Sequence, residues 1–108
     1  MNKEILLVAE TVSNEKGVSR DVIFEAIELA LAAATKNRFK EEDVEIRVHI
    51  DRVTGDSRTF RVWHVVPDED LYEFGRQLTL DEAHEHDEKL QIGDVYEEEV
   101  ESEAFGRI

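Results

Sequence analysis

An α+β domain is expected here: two N-terminal helices packed with a small, mostly antiparallel four-stranded sheet (a hairpin plus two short strands) and a third short helix. Three observations carry that expectation. Apolar residues recur at helical spacing through the first 40 or so positions. Between Val44 and Val66 the period changes to two, around a Thr54-Gly55-Asp56 turn. After Pro67, Thr79 and Glu82 form a capping box and Val95–Val100 reads as a last strand. A length of 108 residues fits one domain spanning 1–108, helical over about 1–40 and 79–89 and sheet over about 43–78 and 94–101.

Asn2 can cap a first helix, Lys3 to Lys16, which Gly17 ends as a left-handed C′ residue. Ile5, Val8, Ala9 and Val12 form its buried stripe, and Leu7 falls among the polar positions. Ser19 caps a second helical stretch running to Arg38, with Val18 and Ile23 spaced as a hydrophobic staple. At about 100° per residue, Asp21, Glu25, Glu28, Ala32 and Thr35 share one narrow stripe. Nearly all other positions are Val, Ile, Phe, Leu or Ala until Lys36, Asn37 and Arg38. Such a helix has to be covered on several sides, within the domain or by a partner. Lys36 and Arg38 suit the helix dipole, and Lys40 lies just beyond.

Val44, Ile46, Val48 and Ile50 alternate with Glu45, Arg47 and His49, the pattern of a half-buried strand. Thr59 to Val66 makes the return strand, which Pro67 ends. Trp63 is expected to pack in the core or the sheet, because a large aromatic usually finds burial and no second exposed aromatic stands beside it as base stacking requires. Asp68–Gly75 is an acidic connection with Tyr72 and Phe74 as its anchors, and Arg76–Leu78 a short strand. The third helix is expected from Leu80 to about Asp87. Gly93-Asp94 turns the chain into Val95–Val100, where Glu97, Glu98 and Glu99 lie on both faces, as suits an edge strand.

The formal charge is −14 and its distribution is uneven. Residues 1–67 hold 12 acids and 10 bases, whereas residues 68–104 hold 15 acids and 2 bases. The acidic part would repel a phosphate backbone, so any RNA contact has to be local, through the basic residues of the first two thirds. Cysteine is absent, which removes disulfides, thiolate metal sites and a thiol nucleophile. No apolar run approaches bilayer length and no secretion signal opens the chain, so it reads as soluble and cytoplasmic.

No enzyme is expected. Carboxylates are abundant, but a catalytic pair needs surroundings that push two pKa values apart. His84 and His86 flank Glu85, yet i and i+2 on a helix point away from each other and cannot share a metal ion. Phosphate loops, HExxH and nucleophile elbows are missing, so no catalytic residue, metal or cofactor is expected. Two other readings stay open: a metal-dependent hydrolase using Asp81–Glu88, and a nucleic-acid mimic whose acidic strand imitates a phosphate backbone.

The run MNKEILLVAETVSNEKGVSRDVIFEAIELALAAATKNRF closely resembles the N-terminal domain of the bacterial NusA transcription-factor family. The likeness continues through DRVTGDSRTFRVWHVV, LTLDEA and the IGD turn, and covers essentially the whole chain. It implies a non-enzymatic domain, in the monomeric state, that docks on the β flap of RNA polymerase near the RNA exit channel and modulates pausing, termination and antitermination. On the positions that match, Lys36, Arg38 and Arg107, with Lys40 a looser counterpart, are expected to face nascent RNA hairpins. Leu6, Leu7, Glu28, Leu31 and Thr35 are the expected polymerase contacts. The family's RNA-binding S1 and KH domains, which would hold most of the RNA, are absent from this chain. Asn37 departs from the family's basic run and leaves fewer cations at this corner.

Overall fold

The computed structural model describes residues 2–40 and 42–101. The elements in chain order are α1 (Lys3–Lys16), α2 (Arg20–Lys36), β1 (Glu45–Ile50), β2 (Ser57–Val65), β3 (Gln77–Leu78), α3 (Leu80–His84) and β4 (Val95–Val100). A single 3-10 turn, Asp68–Asp70, interrupts the acidic connection. The expected α+β architecture is what forms: three helices and a four-stranded, mostly antiparallel sheet.

Local chemistry sets the helix ends. Asn2 Oδ1 accepts the Ile5 N–H, and Gly17, at φ +69°, returns its N–H to Ser13 O. Ser19 accepts the Val22 N–H at the start of α2. At α3, Thr79 and Glu82 cap each other as the sequence foretells, through Glu82 N–H to Thr79 Oγ1 and Thr79 N–H to Glu82 Oε1. Two helices are shorter than expected. α2 stops at Lys36, because Asn37 and Arg38 tighten into a turn whose N–H groups reach Ala33 O and Thr35 O. α3 stops at His84, where Glu85 donates back to Glu82 O and the chain turns.

β2 is the organising strand. It pairs antiparallel with β1 over Ser57–Val62 and with β4 over Thr59–His64, and parallel with β3 at His64 and Val65. Since β3 and β4 both meet His64, they lie on opposite edges, and β1 and β3 follow one another along the same edge. β4 pairs with β2 alone, the edge position that its glutamates suggest.

The core lies between the first two helices and β1. Ile5, Ala9, Phe24, Leu31, Val48 and Ile50 form one buried cluster, with Leu6, Ile23, Ile27, Ala32 and Ile46 against it. Val8, expected in this stripe, lies at its margin and is 37% exposed. The hairpin turn fixes α1 in place. Asn2 donates its backbone N–H to Thr54 O at 2.8 Å, and the backbone of Gly55 sits against Asn2 and Leu6.

Beyond the helices, the same sheet face carries a stacked series. Arg61 lies 5.2 Å from the Phe39 ring and 4.4 Å from that of Trp63; Trp63 meets Tyr96 at 5.7 Å, and Tyr96 stacks on His86 at 4.5 Å. Trp63 is thus a sheet-packing residue, as expected. Burial and a hydrogen bond to Glu98 push the Tyr96 hydroxyl up to about 12, so it remains a donor. Tyr72 and Phe74 are not anchors: they are 77% and 78% exposed.

Candidate functional site

The end of α2 forms the basic corner. Lys36 Nζ stands 3.2 Å from Asp43 Oδ1, both groups being substantially solvated. The Arg38 guanidinium donates to the carbonyl of Glu101, the residue that follows β4. Lys40 is exposed on the next turn. Arg38, Phe39, Lys40 and Glu42 line an open groove of about 410 Å³. Three of the expected RNA-facing cations therefore share one corner. Arg107 lies outside the described residues. The ion pair that holds Lys36 is of the exposed kind, worth about 0–1 kcal/mol, so a phosphate can compete for this ammonium group.

The five expected polymerase contacts separate into different environments. Leu7 is 64% exposed on α1, opposite the core, and Leu6 is half-buried against it. Leu31 and Thr35 are buried, and Thr35 Oγ1 donates to Leu31 O at 2.9 Å. A direct contact through either does not fit this placement. Glu28 faces inward as well: its carboxylate accepts the Ile50 N–H at 2.8 Å and the Arg52 guanidinium at 2.7 Å. That hydrogen bond raises the Arg52 pKa. The polar stripe of α2 is thus partly its internal face.

The exposed side of α2 is largely apolar, with Asp21, Glu25 and Lys36 along one edge. Val22 and Leu29 are 52% and 73% exposed, and Ala26, Ala30, Ala33 and Ala34 are also exposed. Val22, Ala26, Leu29 and Ala33 recur at the spacing of one helix face. Wheel geometry reveals how apolar this helix is. It does not say which side β1 covers, because Glu28 and Thr35 find partners inside and so lose their value as markers of solvent.

On the sheet face away from the helices, Arg47 forms paired hydrogen bonds with Glu97 (2.7 and 2.9 Å) and Arg58 with Glu99 (3.2 and 2.9 Å). Both guanidinium groups lie over Phe60, at 4.6 and 5.1 Å. Two of the three β4 glutamates are therefore neutralised by neighbouring strands. His84 Nε2 is 2.8 Å from Leu90 O, and His86 turns to Tyr96 and Glu98, so the two histidines do not converge. Among the described residues, no group of three metal-ligating side chains assembles, and no helix is long and apolar enough to cross a membrane.

Comparison with known proteins gives one consistent family. Residues 4–108 match the family described as NusA N-terminal domain. The transcription termination/antitermination protein NusA of Halalkalibacterium halodurans is 37% identical over 108 residues, which is 100% of this chain and 28% of that protein. The protein of the same name from Bacillus subtilis is 36% identical over the same span and share. The solution structure of the N-terminal domain of NusA from B. subtilis aligns at a TM-score of 0.72 and 35% identity, covering 98% of this chain and 83% of the other. The chain spans little more than a quarter of the length of these curated relatives.

Proposed function

We propose a function from one premise: this chain belongs to the NusA N-terminal domain family. It acts as a non-enzymatic module of a transcription termination/antitermination factor. It docks on RNA polymerase at the β flap, near the RNA exit channel, and so modulates pausing, termination and antitermination.

The observation that supports docking is the uncovered face of α2. Val22, Ala26, Leu29 and Ala33 leave an apolar stripe in water, next to a helix whose Leu7 is also exposed. Helix-on-helix recognition reads such stripes through anchors at i, i+4 and i+7. The basic corner at Lys36, Arg38 and Lys40 meets the nascent RNA hairpin. Its cations stand on an acidic body, which steers RNA to one spot and discourages indiscriminate binding. The mimic reading is less well supported, because Arg47 and Arg58 already occupy Glu97 and Glu99.

A titration of the isotopically labelled chain with a β-flap fragment tests the docking. Saturable shifts are expected at Val22, Ala26, Leu29, Ala33 and Leu7. Unperturbed resonances throughout residues 3–38 would sink the polymerase part of the reading.

A further inference from the structure

The acidic connection after β2 contains a surface that the docking helices do not explain. Residues 68–75 hold four acids and no base, yet they display two large aromatics, Tyr72 and Phe74, to solvent. Both rings border one open groove of about 340 Å³, together with Glu42, Asp43, Glu73 and Gly75.

This display is fixed in place. Gln77 Oε1 accepts the N–H groups of both Tyr72 (3.0 Å) and Glu73 (2.9 Å), so one β3 side chain clamps the loop. The Arg76 N–H closes the turn on Glu73 O at 2.9 Å, and the Arg61 guanidinium donates to Gly75 O at 3.1 Å. Gly75 packs so closely on residue 43 that an added Cβ would lie 2.4 Å from Asp43 O. A loop held at these points presents its rings without the ordering cost of a mobile segment.

The charges name the occupant. Arg76 bridges Glu73 and Asp43, Lys36 also meets Asp43, and Arg61 lies near Glu42, so the floor is balanced internally. Asp68, Glu69 and Asp70 make no ion pair among the described residues and stand two to four positions before Tyr72 in the chain, so the segment that carries the rings keeps an excess of negative charge. Aromatic faces under a negative field suit a cation with apolar shoulders, an arginine or lysine side chain lying over the rings. We infer that the Tyr72–Phe74 groove is a docking site for an arginine- or lysine-bearing peptide segment of a protein partner. It borders the basic corner, because Glu42 lines both grooves and Lys36 pairs with Asp43, but it takes a cationic peptide where that corner takes RNA, and its lining includes no residue of the α2 face.

The chain, titrated with the probe peptide Ac-Gly-Arg-Gly-Lys-Gly-Arg-Gly-NH2 and followed by NMR, tests this. The ring resonances of Tyr72 and Phe74 and the amides of residues 72–75 are expected to shift saturably. A control peptide with glutamine at the three basic positions should leave them unmoved. The double variant Tyr72→Ser, Phe74→Ser should keep the native fold, since both rings are solvent-exposed, and weaken binding by about tenfold. Four results would overturn the site: no shift at the two rings; shifts spread evenly over the Asp81–Glu88 acids and unchanged in the double variant; ring shifts that follow protein concentration alone, marking a second copy; or an RNA oligonucleotide moving the rings where the basic peptide does not.

Discussion

Glu28 on α2 accepts the backbone N–H of Ile50 at 2.8 Å, fastening the helix to the end of β1 where the hairpin turn begins. The same carboxylate holds Arg52 at 2.7 Å, and Arg52 in turn covers the Phe24 ring at 4.9 Å. One acidic side chain thereby joins helix, strand and turn. Glu28→Ala should leave the Ile50 donor and the Arg52 cation without this partner and cost about 1–3 kcal/mol. Urea denaturation measures it; a loss below roughly 0.5 kcal/mol would show that water replaces the carboxylate freely.

Gly55 and Gly93 separate two kinds of glycine requirement. Both have positive φ, +78° and +95°, but a Cβ on Gly55 would lie 2.0 Å from Asn2 O, whereas one on Gly93 meets nothing within 4 Å. Gly93→Ala is expected to cost only the backbone term, about 1–2 kcal/mol. Gly55→Ala should cost more than that, because it also displaces the start of α1. Thermal unfolding of the two variants side by side gives the comparison, and equal losses would contradict the close approach.

Acid should loosen the outer sheet face. The hydrogen bond from Arg47 holds the Glu97 carboxyl below its ordinary value of 4.5, and the N–H groups of Thr54 and then Val53 hold Asp51 below 3.8. A carboxyl whose folded pKa is lowered adds stability that is complete above the unfolded pKa and is lost as pH falls through the folded one. The contribution of Glu97 is therefore steady at neutral pH and declines below about pH 4.5. The pair is partly solvated and screened, so it is worth about 1 kcal/mol or less. Denaturation curves across the acid range should show a shallower decline in Glu97→Gln, and an unchanged slope would assign the pair no net value.

Leu29→Asp puts a charge on the uncovered face of α2 and removes nothing from the core. Affinity for a β-flap fragment should fall about tenfold or more. Stability should stay within about 0.5 kcal/mol of the parent. Comparable binding by the variant would move docking to another face.

At the basic corner, Lys36→Ala with Arg38→Ala should weaken crosslinking to an RNA hairpin while the domain stays folded. The described contacts that go are an exposed ion pair at Lys36 and a carbonyl contact at Arg38, and neither belongs to the buried cluster. Unchanged crosslinking would mean that these cations serve the helix terminus and the 101 carbonyl alone.

Much of this protein is readable one residue at a time. Asn2, Ser19 and Thr79 start helices and Gly17 ends one, because capping needs only a side chain and its near backbone. Alternation over 44–50 and 59–66 marks the hairpin for the same local reason. The ends of α2 and α3 are less legible, since the last turn depends on where the chain must go next. The clustering of Lys36, Arg38 and Lys40 needs nothing beyond their sequence proximity. The separation of Leu7 from Leu31 and Thr35 needs the third dimension.

Sequence patterns were sufficient for the α+β class, the element order and an unusually apolar α2. Those properties come from capping, periodicity and turn chemistry, which act over a few residues. Which side of α2 faces water was settled by packing. β1 supplies a donor at Ile50 and, through the turn, a cation at Arg52; these draw Glu28 inward, and Leu31 and Thr35 lie buried on the same side while Val22 and Leu29 turn out. The exposure of Tyr72 and Phe74 has a similar origin, in a clamp from Gln77 and a close approach at Gly75. A polar residue marks the surface only when no partner awaits it inside, and that partner belongs to a different stretch of chain.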